Sequence, residues 1–183
     1  FFYPYWGAFP SHDLPKGERI CRIRHLFFLG GGRAAYRSHV IQDVRFDPDL
    51  LYYATAEDLD ASFRASFRGA LAQVSDAQIC HRPHPSARPS LRVITLMGFT
   101  NLALWIHKHN RNSHKAKGIL LLRMLRHIPS KFVYDLSERR WDIPRVRGVV
   151  AAFPTVLRIF QLNPDELSSW YQAFQRAVYE KHA

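Results

Sequence analysis

The chain has 183 residues, 47% apolar and 14% aromatic, so it can bury a hydrophobic core and is not disordered by composition. It carries 26 Lys and Arg against 15 Asp and Glu, a formal net charge of +11 that favours polyanionic partners such as RNA, DNA or anionic lipid. Two cysteines, Cys21 and Cys80, exclude a disulfide framework and fit a reducing compartment. The sequence contains no run of about 20 apolar residues, so we expect no transmembrane span.

Residues 1–17 are predicted to form an extended aromatic arm. Three prolines, Pro4, Pro10 and Pro15, disfavour helix and sheet there. Exposure of so many rings to water would be costly, so the arm should lie on a surface, either its own or a partner's. The candidate partner-binding residues are Phe1, Phe2, Tyr3, Tyr5, Trp6 and Phe9. The first residue is Phe and not Met, as expected either of a precursor that has lost a targeting segment or of a trimmed chain.

Residues 18–80 are predicted to form a hairpin and a helix. Apolar residues alternate over 19–29 and again over 40–46, which predicts two paired strands. Three glycines, 30–32, separate them; because the phosphate-binding glycine motifs are absent, they indicate a flexible turn. Thr55 as an N-cap and acidic residues after it predict a helix over 56–75.

The proline-containing segment 81–90 is predicted to be a linker, and residues 91–183 a helical domain. Apolar spacing predicts helices over 91–107, 116–127 and 164–180, with Pro129 limiting the second. A polar loop is expected at 107–117.

Residues 142–162 are predicted to form a short helix followed by a strand. Proline disfavours helix in the residue before it, so Phe153 should end the helix. The residues after Pro154, from Thr155 to Phe160, include several that favour strand. The predicted fold class is therefore α+β, mainly α, with an N-terminal arm, a small hairpin and a helical domain.

The order helix, short extended piece, helix, strand over 117–162 resembles a winged-helix, LOTUS-like RNA-binding module. The phrases "LRHIPSKFV" (125–133) and "AAFPTVLRI" (151–159) also resemble the helix–proline–apolar units of mitochondrial transcription-termination-factor repeats. As a whole, the basic chain, rich in Arg and His and with an aromatic arm interrupted by proline, resembles mitochondrial ribosomal and ribosome-assembly proteins. These resemblances imply rRNA and neighbouring proteins of a large assembly as partners. They also imply a location in the mitochondrial matrix or at the matrix face of the inner membrane.

The sequence contains no recognisable catalytic or metal-binding motif that would indicate an enzyme. Cys80, His81 and His84 could begin a zinc site, but the chain has no second cysteine pair, so a histidine-rich loop is the better interpretation. No nucleophile or acid–base motif is recognisable. We therefore expect no catalysis, no metal and no cofactor.

The best candidate for function is the basic stretch 107–117, in which cations alternate with Asn110, Asn112 and Ser113. Such a mixture is suited to phosphate and sugar contacts on RNA. A second basic patch lies at 139–147, where the alternative is pairing with Glu138, Asp142 or the acidic residues of a partner. The candidate RNA-binding residues are Lys108, Arg111, Lys115, Lys117, Arg139, Arg140, Arg145 and Arg147.

The sequence thus predicts a non-catalytic, RNA-contacting structural component of a mitochondrial ribosome or its assembly intermediates. The alternative is an accessory structural subunit of a mitochondrial inner-membrane complex, such as ATP synthase or a respiratory complex. In that case the positive charge would face cardiolipin-rich membrane.

Overall fold

The computed structural model describes residues 20–22, 34–52, 55–69, 71–74 and 88–181. The described residues are mainly helical, which confirms the coarse prediction. The predicted arm at 1–17 and most of the predicted linker lie outside the described residues. The elements are β1 (Ile20–Arg22), α1 (Ser38–Val44), α2 (Glu57–Ser66), β2 (Ala72–Val74), α3 (Leu91–Asn110), α4 (His114–Ser137), α5 (Pro144–Gln161) and α6 (Pro164–Glu180).

These elements fall into two compact units. One takes its described residues from Phe1–Asp47 and Glu57–His84, and the other from Pro48–Ala56 and Pro85–Ala183. In the first unit, β1 pairs antiparallel with β2, with Cys21 opposite Gln73. Helices α1 and α2 enclose a small core of Val44, Ala61 and Ala65, against which Tyr36, Val40 and Leu71 pack.

Three predictions for the first unit are wrong. Residues 38–44 form α1 and not a strand, because the helical spacing of Val40 and Val44 places both against the small core. The strand that pairs with β1 is therefore β2, and the predicted hairpin between 19–29 and 40–46 does not form. Helix α2 begins close to the predicted residue but ends at Ser66, so the helix predicted over 56–75 is wrong in its last part, where a turn follows and residues 72–74 form β2.

The second unit contains the four long helices together with the segment Pro48–Ala56. Helix α3 is buried on nearly all sides, and α5 packs along it most closely. Gly148 allows that approach, because a Cβ atom there would lie 2.6 Å from the Arg92 carbonyl oxygen. The predicted helices at 91–107 and 164–180 are confirmed, and α6 has the predicted bounds. None of the helices in the described ranges is both long and apolar enough to cross a membrane.

Two prolines predicted to end helices lie inside them. Helix α4 continues past Pro129 to Ser137, and α5 continues past Pro154 to Gln161. A proline removes one helical N–H and crowds the preceding turn, but both prolines lie on exposed faces where the helix can bend and water can reach the backbone. The predicted strand over 155–162 is therefore wrong, and the winged-helix arrangement that depended on it is not found.

The helical period of the buried residues explains why α5 continues. Val149, Ala152, Val156 and Ile159 are all fully buried. Three- and four-residue spacings place these side chains on one face of a helix, whereas in a strand Val156 and Ile159 would point to opposite faces. Burial of that common face outweighs the strand preference of the β-branched residues and the cost of the proline.

Candidate nucleic-acid interface

The basic stretch 107–117 consists of two helix ends joined by a short turn, and the predicted polar loop is wrong. Helix α3 extends to Asn110, and α4 begins at His114. The Ser113 hydroxyl accepts a hydrogen bond of 3.1 Å from the Ala116 N–H, as an N-cap does. We call residues 107–117 the α3–α4 corner; its side chains project from a fixed backbone.

Three cations of the corner are placed where an anion could reach them. Arg111 and Lys115 are exposed, and Lys117 is half-buried with its Nζ 5.4 Å from the centroid of the Phe160 ring. The first turn of α4 holds basic and no acidic side chains. Because a helix N-terminus already carries partial positive charge, these cations reinforce its attraction for anions.

Lys108, by contrast, is held in an internal ion pair. Its Nζ lies 2.5 Å from Oδ2 of Asp49, which is buried and also accepts hydrogen bonds from the Ser168 hydroxyl and from Nε2 of Gln172. Burial raises the pKa of Asp49. The hydrogen bonds that Asp49 accepts from Lys108, Ser168 and Gln172 outweigh that effect, so the pKa of Asp49 is lowered. Lys108 therefore links the segment around Asp49 to α3. Its role in RNA binding stays a prediction, and the ion pair with Asp49 argues against that role.

The second basic patch is organised around Asp135, which is fully buried. Its Oδ1 accepts a 2.7 Å bond from the Arg145 guanidinium, and its Oδ2 accepts the backbone N–H groups of Arg145 and Val146 at 2.9 and 3.3 Å. Arg145 also pairs with Glu138 and stacks 4.4 Å from the centroid of the Tyr134 ring. Arg145 thus follows the alternative of pairing with neighbouring acidic residues: Glu138 is one partner, and the principal partner is Asp135 and not Asp142.

The remaining cations of that patch differ in their surroundings. Arg140 donates to Glu138 at 2.7 Å, and hydrogen bonds from Arg140 and Arg145 lower the pKa of Glu138 to about 2. Arg139 and Arg147 are exposed. This patch lies at the C-terminal end of α4 and the corner at its N-terminal end, so the length of a 24-residue helix, about 36 Å, separates them. The eight predicted residues therefore form two separate patches.

Two histidines lie beside Lys and Arg side chains: His107, within the basic stretch 107–117, and His127 in the middle of α4. Burial lowers the pKa of His107, the charges of Arg111 and Lys117 lower it further, and the Ile159 carbonyl opposes them. Burial is also the main cause that lowers the pKa of His127, to about 4, with Arg123, Lys131 and Arg126 contributing. The available signal was spacing: Arg123 and Lys131 stand one helical turn on either side of His127.

We predict that the protein loses stability as the pH falls from about 6.5 toward about 4. His127 has a folded pKa of about 4 against an ordinary value of 6.5, so the unfolded chain takes up the proton first. Its contribution is therefore complete above pH 6.5 and is lost below it. Urea unfolding of the parent and of His127→Gln between about pH 7 and pH 5 measures this, since that range lies above the titration of ordinary carboxylates. The variant should show a shallower loss; equal pH dependence in the two proteins would contradict the assignment.

Within the described ranges, no group of three or more His, Cys, Asp or Glu is arranged to hold a metal ion. Cys80, His81 and His84 lie outside those ranges. Comparison of the chain with protein-family models, with curated proteins and with solved structures found no match.

Proposed function

We propose that the protein contacts RNA phosphates through the α3–α4 corner, as a non-catalytic structural component of a mitochondrial ribosome or its assembly intermediates. The observation that carries the proposal is the position of Arg111, Lys115 and Lys117 at the N-terminus of α4, whose first turn has no acidic residue. Each of the three can approach a phosphate oxygen without leaving a buried carboxylate behind.

The chemistry of the corner favours phosphates over bases. Arg111 can donate a forked pair of hydrogen bonds to a phosphate, while Lys115 and Lys117 act as point charges. The exposed Asn112 adds a neutral donor suited to sugar or phosphate oxygens. No base-reading motif is recognisable in the sequence, so binding should depend little on base sequence.

The ribosomal or ribosome-assembly role is proposed from the charge and composition of the whole chain. A net charge of +11 and the resemblance in composition support a ribosomal or ribosome-assembly component. The alternative, an accessory subunit of a mitochondrial inner-membrane complex, is supported by apolar side chains that remain exposed on α4, because such a subunit needs surfaces for protein neighbours. Under that alternative the corner would face anionic lipid.

We predict that Arg111→Gln, Lys115→Gln and Lys117→Gln together weaken RNA binding to a similar extent for unrelated RNA sequences. Each phosphate contact contributes about 0.7–0.9 to the log–log salt slope, so three lost contacts should reduce the slope by roughly 2–3. Filter-binding titrations on rRNA fragments at several salt concentrations measure both quantities. A matched control, Arg68→Gln with Arg176→Gln and Lys181→Gln, removes three exposed cations elsewhere and should change the slope less.

Two results would count against the proposal. If the triple variant binds RNA with the affinity and slope of the parent, the corner is not the RNA site. If the tagged protein co-purifies with an inner-membrane complex and binds cardiolipin vesicles but no RNA at physiological salt, the alternative assembly is correct. Recovery of rRNA together with ribosomal proteins supports the proposal.

A further inference from the structure

The solvent-facing side of α4 is apolar. Leu122 and Leu125 are 57% and 55% exposed, and Phe132 and Val133 are exposed as well. A helix on the surface of a globular domain ordinarily places polar residues on this side. We call this surface the α4 stripe; it consists of Leu122, Leu125, Pro129, Phe132, Val133 and the half-buried Leu136.

The spacing of the stripe matches that of a helix–helix contact. Leu122, Leu125, Pro129, Phe132 and Leu136 follow one another at alternating intervals of three and four residues. This is the a/d pattern that places knobs along one seam of a coiled coil. From Leu122 to Leu136 the seam is about 21 Å long, enough for several turns of a second helix. The opposite side of α4, with Leu120 and Met124, is buried, so among the described residues α4 has one packed face and one exposed seam.

The positive charge of α4 decides which kind of partner helix can cover the seam. The helix contains five Lys and Arg residues and one acidic residue, Asp135, which is buried and paired with Arg145. Arg126 is exposed and directly follows Leu125, in the position that flanks a seam. A second copy of this chain would bring Arg126 and Lys115 toward like charges, whereas acidic residues beside the seam of a partner would pair with them.

We propose that the α4 stripe binds an acidic amphipathic helix of a partner protein. The heptad spacing selects a helix, and the exposed Arg126 beside the seam selects acidic residues on it. The stripe and Arg126 lie outside residues 107–117, so the proposal does not depend on RNA binding at the corner; Lys115 is the one corner residue that also lies near this surface. An anionic membrane would also accept apolar and basic groups, but it has no need of a seam with heptad spacing.

The test uses two labelled synthetic helices of about four heptads, with Leu at the a and d positions. One carries Glu at the e and g positions, and the other carries Lys. Fluorescence anisotropy with the full chain should show that the Glu peptide binds at least about tenfold more tightly than the Lys peptide. Leu122→Glu with Leu125→Glu should weaken binding of the Glu peptide by at least about tenfold. Leu157→Glu, which changes a 46% exposed leucine on α5, is the matched control and should leave that binding unchanged.

A charge-reversing variant keeps the test independent of the two leucines. Arg126→Glu should weaken binding of the Glu peptide and strengthen binding of the Lys peptide. Circular dichroism should show an unchanged fold. The proposal is overturned if neither peptide binds, if both bind equally, or if the leucine variant binds like the parent. It is also overturned if the parent is a dimer that Leu122→Glu dissociates. The proposal is likewise overturned if the parent binds no peptide but adheres to vesicles of cardiolipin and phosphatidylcholine, and the leucine variant does not adhere. That result would identify a membrane-facing surface.

Discussion

Gly148→Ala is expected to lower the free energy of unfolding by about 2–3 kcal/mol. The new Cβ atom would lie 2.6 Å from the carbonyl oxygen of Arg92 and 2.8 Å from Cβ of Thr95. Both atoms belong to the rigid part of α3 and not to the end of a flexible side chain, so α3 and α5 would have to move apart. These two helices form the closest packing in their unit, with Val149 and Val156 fully buried in it.

The matched control is Gly118→Ala on α4. Beyond its chain neighbours and the backbone of its own helix, no atom lies within 4 Å of the position of its new Cβ atom, and the residue is exposed. Alanine is favoured over glycine inside a helix, so this variant should be more stable by about 0.5–1 kcal/mol. Urea unfolding monitored by circular dichroism measures both variants. Opposite signs for the two substitutions would confirm the close approach at Gly148, whereas a Gly148→Ala protein as stable as the parent would contradict it.

The fold was predictable where local signals agree with tertiary packing. At the start of α6, Asn163, Pro164 and Glu166 suit the first turn of a helix, and buried Leu167 and Tyr171 follow at helical spacing. Around Pro129 and Pro154 the signals conflict. Local chemistry favours an end to the helix, but the buried faces of α4 and α5 continue past each proline at helical spacing. Which signal prevails depends on burial against other helices, which a single sequence does not display.

The candidate site was predictable in its charge but not in its pairing. The density of Lys and Arg over 107–117 was visible from the sequence, and Arg111 and Lys115 are indeed exposed. That Lys108 meets Asp49 depends on a contact between residues 59 positions apart, which no local pattern indicates. Arg145 and Asp135 are only ten positions apart, but they meet because the chain reverses between α4 and α5.

The second large effect on stability is expected at the connection between α4 and α5, where the chain reverses. Asp135→Ala should lower the free energy of unfolding by about 3–5 kcal/mol, because it leaves the guanidinium of Arg145, only 11% exposed, without its buried partner. The substitution also removes the acceptor for the backbone N–H groups of Arg145 and Val146 in the first turn of α5. Ile143, which directly precedes α5, supplies no side-chain cap, so Asp135 performs that role from the preceding helix.

Two companion variants separate the charge from the cap. Glu138→Gln changes the exposed partner of Arg145 and should cost much less, since solvent screens that pair. Asp135→Ala combined with Arg145→Met removes both charges and should recover part of the stability lost in Asp135→Ala, because no unpaired buried charge remains. The part not recovered then measures the lost cap and the lost packing against Tyr134. Denaturant unfolding of the four proteins at neutral pH gives these differences. If Asp135→Ala and Glu138→Gln were equally mild, the buried pair would not hold the α4–α5 connection.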